Sequence, residues 1–236
     1  MSTDSWCQME FDLPFTGAAL ATHRSARVRQ RSKRAFDVLV SGVCLLLFAP
    51  LMLLVAAVVR LTSPGPALFR QTRLGQHGRP FVMYKFRTMF TDSPDDIHRS
   101  YVSHLLLDEQ PQTGGESGLY KLDKDPRVTR LGAFLRRASL DELPQLLNVI
   151  RGDMSLVGPR PMLPWERDML PAAHQARFAV PAGITGLWQV SGRSRLTMRE
   201  ALDLDVQYVQ RRSFVVDLLI LVKTAWVLVV WRGGAR

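Results

Sequence analysis

The sequence predicts a monotopic membrane protein of α+β class and mostly helical content. Its parts are a Pro-broken re-entrant membrane helix and a cytoplasmic domain with a small β element. Three observations predict this. The run from Val38 to Val59 contains no charged residue. Arginines and lysines flank that run on both sides. Beyond it, short β-prone stretches alternate with segments of helical period, bounded by Gly and Pro turns.

Composition narrows the class further. The chain has 236 residues, 31 Lys+Arg against 21 Asp+Glu, and 47% hydrophobic residues, which suits one moderate domain with an appendage. That hydrophobic fraction excludes a mainly disordered protein, and the lack of a Gly-X-Y or shorter repeat excludes a fibrous one. Cys7 and Cys44 are the two cysteines, too few for a disulfide framework or a structural zinc site. A net charge of +10 points to a polyanion: nucleic acid, anionic lipid or phosphorylated substrate. No nucleic-acid partner is expected, because no recognised nucleic-acid motif occurs and the apolar run commits the chain to lipid.

Residues 1–32 read as a mostly disordered tail, acidic up to residue 21 and then basic through Arg24, Arg27, Arg29 and Arg31. Neither half has a clear apolar period. Residues 33–61 form the membrane helix. Straight, the uncharged run would rise about 33 Å, one bilayer core. A spanning helix needs flanks that differ in Lys/Arg content. Here Lys33 and Arg34 precede the run, and Arg60, Arg70, Arg73 and Arg79 follow it, so both flanks read as cytoplasmic. Pro50 removes a backbone donor in mid-run and clashes with the preceding turn, which lets the helix enter one leaflet and return. Lys33 and Arg34 are expected at its entrance, facing anionic headgroups.

Residues 62–236 form the remaining domain. Ser63-Pro64-Gly65-Pro66 ends the apolar element. Ala67–Arg70 and Phe81–Met89 read as strands about the Gly75–Pro80 turn. Alternation puts Lys85 and Arg87 on one side of the second strand and Phe86 on the other. Residues 91–125 are polar, with one helix expected around Ile97–Leu107. Leu131–Arg137 reads as a helix, and Ser139 starts another. Ser139 and Glu142 have capping-box spacing, which puts Asp141 and Glu142 in a first helical turn. Acids there also complement a helix dipole, so position alone assigns no chemistry. Gly158-Pro159-Arg160-Pro161 holds an arginine between rigid residues, limiting what its guanidinium loses on binding phosphate. Ala182–Val190 reads as a short strand after a turn, and Phe214–Trp231 as an apolar helix abutting the membrane.

In order, the chain reads Lys33-Arg34 with Asp37, the Pro-broken run, SPGP, KFRTM, SLDELPQL, GDMSLVGPRP and GITGLWQVSGR. This succession resembles the bacterial sugar transferase family, the monotopic polyprenyl-phosphate phosphoglycosyl transferases, over about residues 33–232. The resemblance implies that residues 62–236 are a catalytic domain with a membrane-associated C-terminal helix. It implies transfer of a sugar 1-phosphate from a UDP-sugar to undecaprenyl phosphate, with release of UMP, to initiate exopolysaccharide or related glycan assembly. The setting implied is the cytoplasmic face of the bacterial inner membrane, among its lipids, and a homodimer is compatible with it. Ala49 stands where many relatives carry serine before the proline. The exopolysaccharide-type relatives it resembles often use glucose or galactose as first sugar, and others use N-acetylated sugars, so the resemblance leaves the sugar open.

Such a reaction joins two anions, so the site must neutralise charge before a nucleophile can approach. A carboxylate nucleophile divides the transfer into two displacements through an acyl phosphate. The acid pair suits this: Asp141 attacks the sugar-bearing phosphorus, the role the family pattern gives the first acid, and Glu142 holds Mg2+. Lys85, Arg87, Arg136 and Arg160 are expected to bind substrate phosphates. Gly158, Pro159 and Pro161 are expected to shape the loop at the nucleotide site. An acceptor that is already anionic needs no base, consistent with no histidine standing out. The alternative is a catalytically inactive membrane-anchored adaptor of a polysaccharide assembly complex.

Overall fold

The computed structural model describes residues 23–91, 96–107, 125–192 and 196–230. The tail before residue 23, parts of the polar excursion, Arg193 and Trp231 lie outside the described residues. Helix α1 (His23–Thr62) stays helical through Pro50, so the expected break at that residue does not interrupt the helix. It begins inside the stretch expected to be tail: residues 23–32 are helical. Along its apolar run Leu39, Leu46, Leu47, Leu53 and Leu54 are exposed, Leu46 by 81%. Among the described residues none covers them, which is compatible with membrane association of this helix.

The apolar run of α1 is fastened at both of its ends to the same domain. At the first end the Lys33 ammonium lies 2.8 Å from Asp217 and 3.3 Å from Asp37. Ser155 donates to Asp37 at 2.8 Å, and the Tyr208 hydroxyl donates to Asp217 at 2.7 Å. Burial and the neighbouring Asp217 carboxylate push the Tyr208 hydroxyl far above its ordinary pKa. The Arg34 guanidinium donates to the Val149 carbonyl and, at 2.7 Å, to that of Ile150. Lys33 and Arg34, expected to face lipid headgroups, are thus turned to protein partners. At the other end Val55 and Val59 pack with Phe86 and Leu135. There the buried Arg87 donates to the Ser63 carbonyl at 2.7 Å and its hydroxyl at 2.8 Å.

Strands β1 (Leu68–Leu74) and β2 (Pro80–Phe86) form an antiparallel hairpin, with Phe69 opposite Lys85 and Gln71 opposite Met83. Because β2 ends at Phe86, Arg87 leaves the alternation that would have set it beside Lys85. Helix α2 (Asp96–Leu107) follows, then α3 (Arg130–Arg137), whose Thr129 cap accepts from the Gly132 amide at 2.9 Å. A 3-10 turn over Leu140–Glu142 leads to α4 (Gln145–Arg151). Ser139 takes a left-handed conformation, φ 54°, and its side chain makes no cap bond. The expected capping box is therefore absent, and the acid pair lies in a turn of its own. Within α4 the fully buried Asn148 ties the helix to β2. Its amide nitrogen donates to the Val82 carbonyl at 2.7 Å, and its amide oxygen accepts from the Tyr84 amide at 3.1 Å.

Strand β3 (Met154–Val157) pairs in parallel with β4 (Ala182–Thr185), Ser155 opposite Gly183. Between them run α5 (Pro164–Asp168) and a 3-10 stretch over Ala172–Ala179. After β4 the chain turns into the short α6 (Leu187–Val190), so the strand is shorter than expected. Helices α7 (Met198–Arg211) and α8 (Phe214–Val230) close the fold. One core joins Met83, Val149, Met154, Val157 and Ile220. On α8, Val215, Leu218, Val222 and Trp226 are exposed. Asp217, one of two charges with Lys223 in the mostly apolar α8, is accounted for by Lys33 and Tyr208.

Replacing Lys33 with Met strands Asp37 and Asp217 as facing buried carboxylates. The expected cost is about 3 kcal/mol, read as a fall in thermal midpoint of the detergent-solubilised chain. Arg31→Met, which removes a charge outside this network, should shift it little.

Candidate active site

The site forms where β2, the acid turn and the loop after β3 converge. Strand β2 delivers Lys85, whose ammonium lies 2.9 Å from a Glu142 carboxylate oxygen. Glu142 is partly exposed, whereas Asp141, one residue earlier, is only 4% exposed. Arg136, at the end of α3, donates to the Thr88 hydroxyl at 2.9 Å. Burial lowers the Arg136 pKa, while Asp141 and Asp125 act in the opposite sense. It therefore adds positive potential near the acid turn from a poorly hydrated position. Asp125 is held below the usual carboxylate range by Arg127, which bonds it directly.

The third side of the cleft is the Gly158–Pro161 loop. A Cβ on Gly158 would come within 2.4 Å of the Pro181 carbonyl, and one on Gly183 within 2.1 Å of the Gly158 amide. Glycine at both positions lets the two backbones pass this closely. Four successive carbonyls then find separate donors. Pro159 accepts from the Gly183 amide at 2.8 Å, Arg160 from Arg177 at 2.9 Å, Pro161 from Arg73 at 3.3 Å, and Met162 from the Leu74 amide at 2.8 Å. With its backbone held, Arg160 lines one cleft with Lys85, Glu142, Pro161, Gly183 and Gln189. Pro159 and Arg160 also line a second cavity, with Arg177 and Phe178.

Of the residues expected in the site, the structure brings together Lys85, Glu142, Arg160 and Pro161, with Asp141 and Arg136 adjoining. Arg87 is directed elsewhere: it clasps the end of α1 and does not line the cleft. Pro50 lies in α1, away from it. Sequence reading missed Gln145 and Gln189 on the cleft wall, and Arg177 with Asp205 behind it. A signal for Asp205 existed. It falls on the face of α7 that buries Met198, Ala201, Leu202 and Tyr208, where an acid needs a buried partner. That partner is Arg177, at 2.5 Å. Burial raises the Asp205 pKa to about 6, with Arg177 and Arg160 opposing the rise.

Among the described residues no group of three or more His, Cys, Asp or Glu side chains could cage a metal ion. Mg2+ does not require such a cage, since it commonly binds through one or two carboxylates and substrate phosphate oxygens. The partly exposed Glu142 beside the cleft fits that donor set.

The bacterial sugar transferase family model matches residues 28–231, and the chain belongs to that family. It is 41% identical over 204 residues to the exopolysaccharide production protein ExoY of Rhizobium meliloti, covering 86% of this chain and 88% of that protein. It is 45% identical over 202 residues to a UDP-glucose:undecaprenyl-phosphate glucose-1-phosphate transferase of Caulobacter vibrioides, covering 81% and 67%. With an undecaprenyl-phosphate galactose phosphotransferase of Salmonella typhimurium it shares 39% over 203 residues, 86% of this chain and 41% of the longer relative.

The close passage of β3 and β4 sets an expectation for Gly183→Ala. The added methyl meets backbone, which cannot swing aside, so the loop must shift at a cost of about 3 kcal/mol. A lowered thermal midpoint together with loss of activity checks this, and Ala182→Gly on the same strand serves as the milder control.

Proposed function

We propose that the chain transfers a sugar 1-phosphate from a UDP-sugar to undecaprenyl phosphate, releasing UMP, through a phospho-aspartyl intermediate on Asp141. The observation that carries this reading is the acid turn itself. A nearly buried carboxylate adjoins one that is ion-paired to Lys85, and Arg160 faces the same cleft. A helix cap or an adaptor surface would not need cations converging on two acids from three separate elements.

In the first displacement an Asp141 carboxylate oxygen attacks the sugar-bearing phosphorus. The bond to the bridging oxygen breaks, and UMP leaves with the electron pair. Little water reaches Asp141, so its anion is weakly solvated, while Arg136 keeps the surroundings positive. Lys85 and Arg160 take up phosphate charge as the donor enters. Glu142, with substrate phosphate oxygens, would hold Mg2+, whose charge offsets that of the departing UMP. In the second displacement a phosphate oxygen of undecaprenyl phosphate attacks the same phosphorus and the acyl-phosphate bond breaks. The Asp141 carboxylate returns, and the product is the undecaprenyl diphosphate sugar. Neither step needs a proton at the nucleophile.

Relatives named for glucose and for galactose support a UDP-hexose donor, and the exopolysaccharide relative supports a role in initiating such a polymer. We assign the site to the cytoplasmic face of the inner membrane, with α1 entering and leaving the same leaflet. Two features support this. The apolar run of α1 is left bare by the rest of the protein, and residues on either side of that run bond to one domain. A spanning segment would instead separate its flanks by roughly 30 Å of hydrocarbon.

Labelled UMP should exchange into UDP-sugar in the absence of lipid acceptor, because the first step is reversible and complete in itself. Asp141→Asn should abolish both exchange and net transfer; an enzyme lacking exchange in the wild type, yet active with Asn at 141, would exclude the covalent route. Glu142→Gln should be nearly inactive but partly rescued by raised Mg2+. Lys85→Ala and Arg160→Ala should each lower turnover about 100-fold or more, measured by UMP release, whereas Arg70→Ala, outside the cleft, should not.

A further inference from the structure

We infer that Arg177 and Asp205 are a positioning pair that fixes the backbone of Arg160, and through it the direction in which that guanidinium meets the substrate phosphates. The inference rests on the proposed role of Arg160 as a phosphate ligand. The Arg177 side chain is 1% exposed and that of Asp205 2%. Burying two charges is costly, and well-packed apolar side chains usually stabilise a core as well or better. A buried pair is better explained when one partner does something an apolar side chain cannot. Here a single nitrogen, Arg177 Nη2, donates both to Asp205 at 2.5 Å and to the Arg160 carbonyl at 2.9 Å.

The geometry gives this contact its consequence. The carbonyls of Pro159, Pro161 and Met162 are held by β4 and β1. Arg160, which alone among these four lines both the cleft and the second cavity, is held from outside those strands by the Arg177 side chain. Releasing that carbonyl frees the peptide plane on which the Arg160 side chain is mounted. Asp205 lies on α7, so the pair also joins α7 to the site. A displacement of about 1 Å at a substrate-positioning group can cost up to 100-fold in rate, so a positioning role is measurable.

Arg177→Lys separates positioning from folding. It retains a cation for Asp205, but its nitrogen ends one bond short of Nη2 and cannot hold both oxygens at these distances. In the full chain in nanodiscs, the expected result is a nearly unchanged melting temperature and faster amide hydrogen exchange in the segment 158–163. Turnover should fall about 10- to 100-fold. In an Arg160→Ala background the same substitution should change turnover less than about two-fold, since its effect passes through Arg160. Independent, multiplying losses, or unchanged loop exchange, would overturn the inference. Should Arg177→Lys fail to fold, Asp205→Asn, which keeps the shape and one acceptor, is put through the same cycle with the same expectations. Hydrogen exchange is read without substrate, so a wild-type chain that releases no UMP would count against the proposed function and leave the test of positioning standing.

Discussion

Polar ties at the two ends of the apolar run in α1 join that helix to the rest of the fold. Lys33, bridging Asp37 and Asp217, holds one end, and Arg87, gripping Ser63, holds the other. Between them runs an apolar segment that the other described residues leave exposed. That exposure is compatible with membrane association, and under the proposed topology the ties set the domain beside the bilayer. The proposed function needs this placement, since a site on such a domain then lies at headgroup level, where a lipid-borne phosphate can be reached. Arg87 makes the coupling direct: it follows Lys85 by two residues, so the strand that supplies one of the site's cations also leads to the end of α1.

The site obtains its order from close backbone contact. Gly158 and Gly183 let β3 and β4 approach to a distance no side chain would permit, and the loop that follows has every carbonyl from 159 to 162 engaged. Against that rigid wall stands the acid turn, which is short, carries no side-chain cap, and is held by Lys85 from β2. A fixed cationic wall facing a charged turn suits chemistry that brings anions together, since the cost of arranging the charges is met during folding.

Much of this was legible in the chain. The uncharged run, the hairpin, the α2 and α3 helices and the apolar C-terminal helix follow from local periodicity and turn residues. The motifs at Asp141-Glu142 and Gly158–Pro161 stand out for the same reason. What stayed hidden was the destination of individual charges. Lys33, Arg34 and Arg87 look alike in sequence to charges meant for lipid or substrate, and only tertiary contacts reveal them as ties. Ser139 has the right spacing for a capping box, but its left-handed backbone turns the chain before a helix can start. The Arg177–Asp205 pair joins residues from two elements, and only the acid on the buried face of α7 hinted at it.

The central claim, that both flanks of α1 lie on the domain's side of the membrane, is tested most directly by cysteine accessibility in intact cells. In a chain with Cys7 and Cys44 replaced by alanine, single cysteines at Ser5 and at Thr62 are treated with a membrane-impermeant thiol reagent. The account predicts that neither reacts until the cells are opened, and that both react then. Labelling of one position in intact cells and not the other would establish a spanning helix and contradict it.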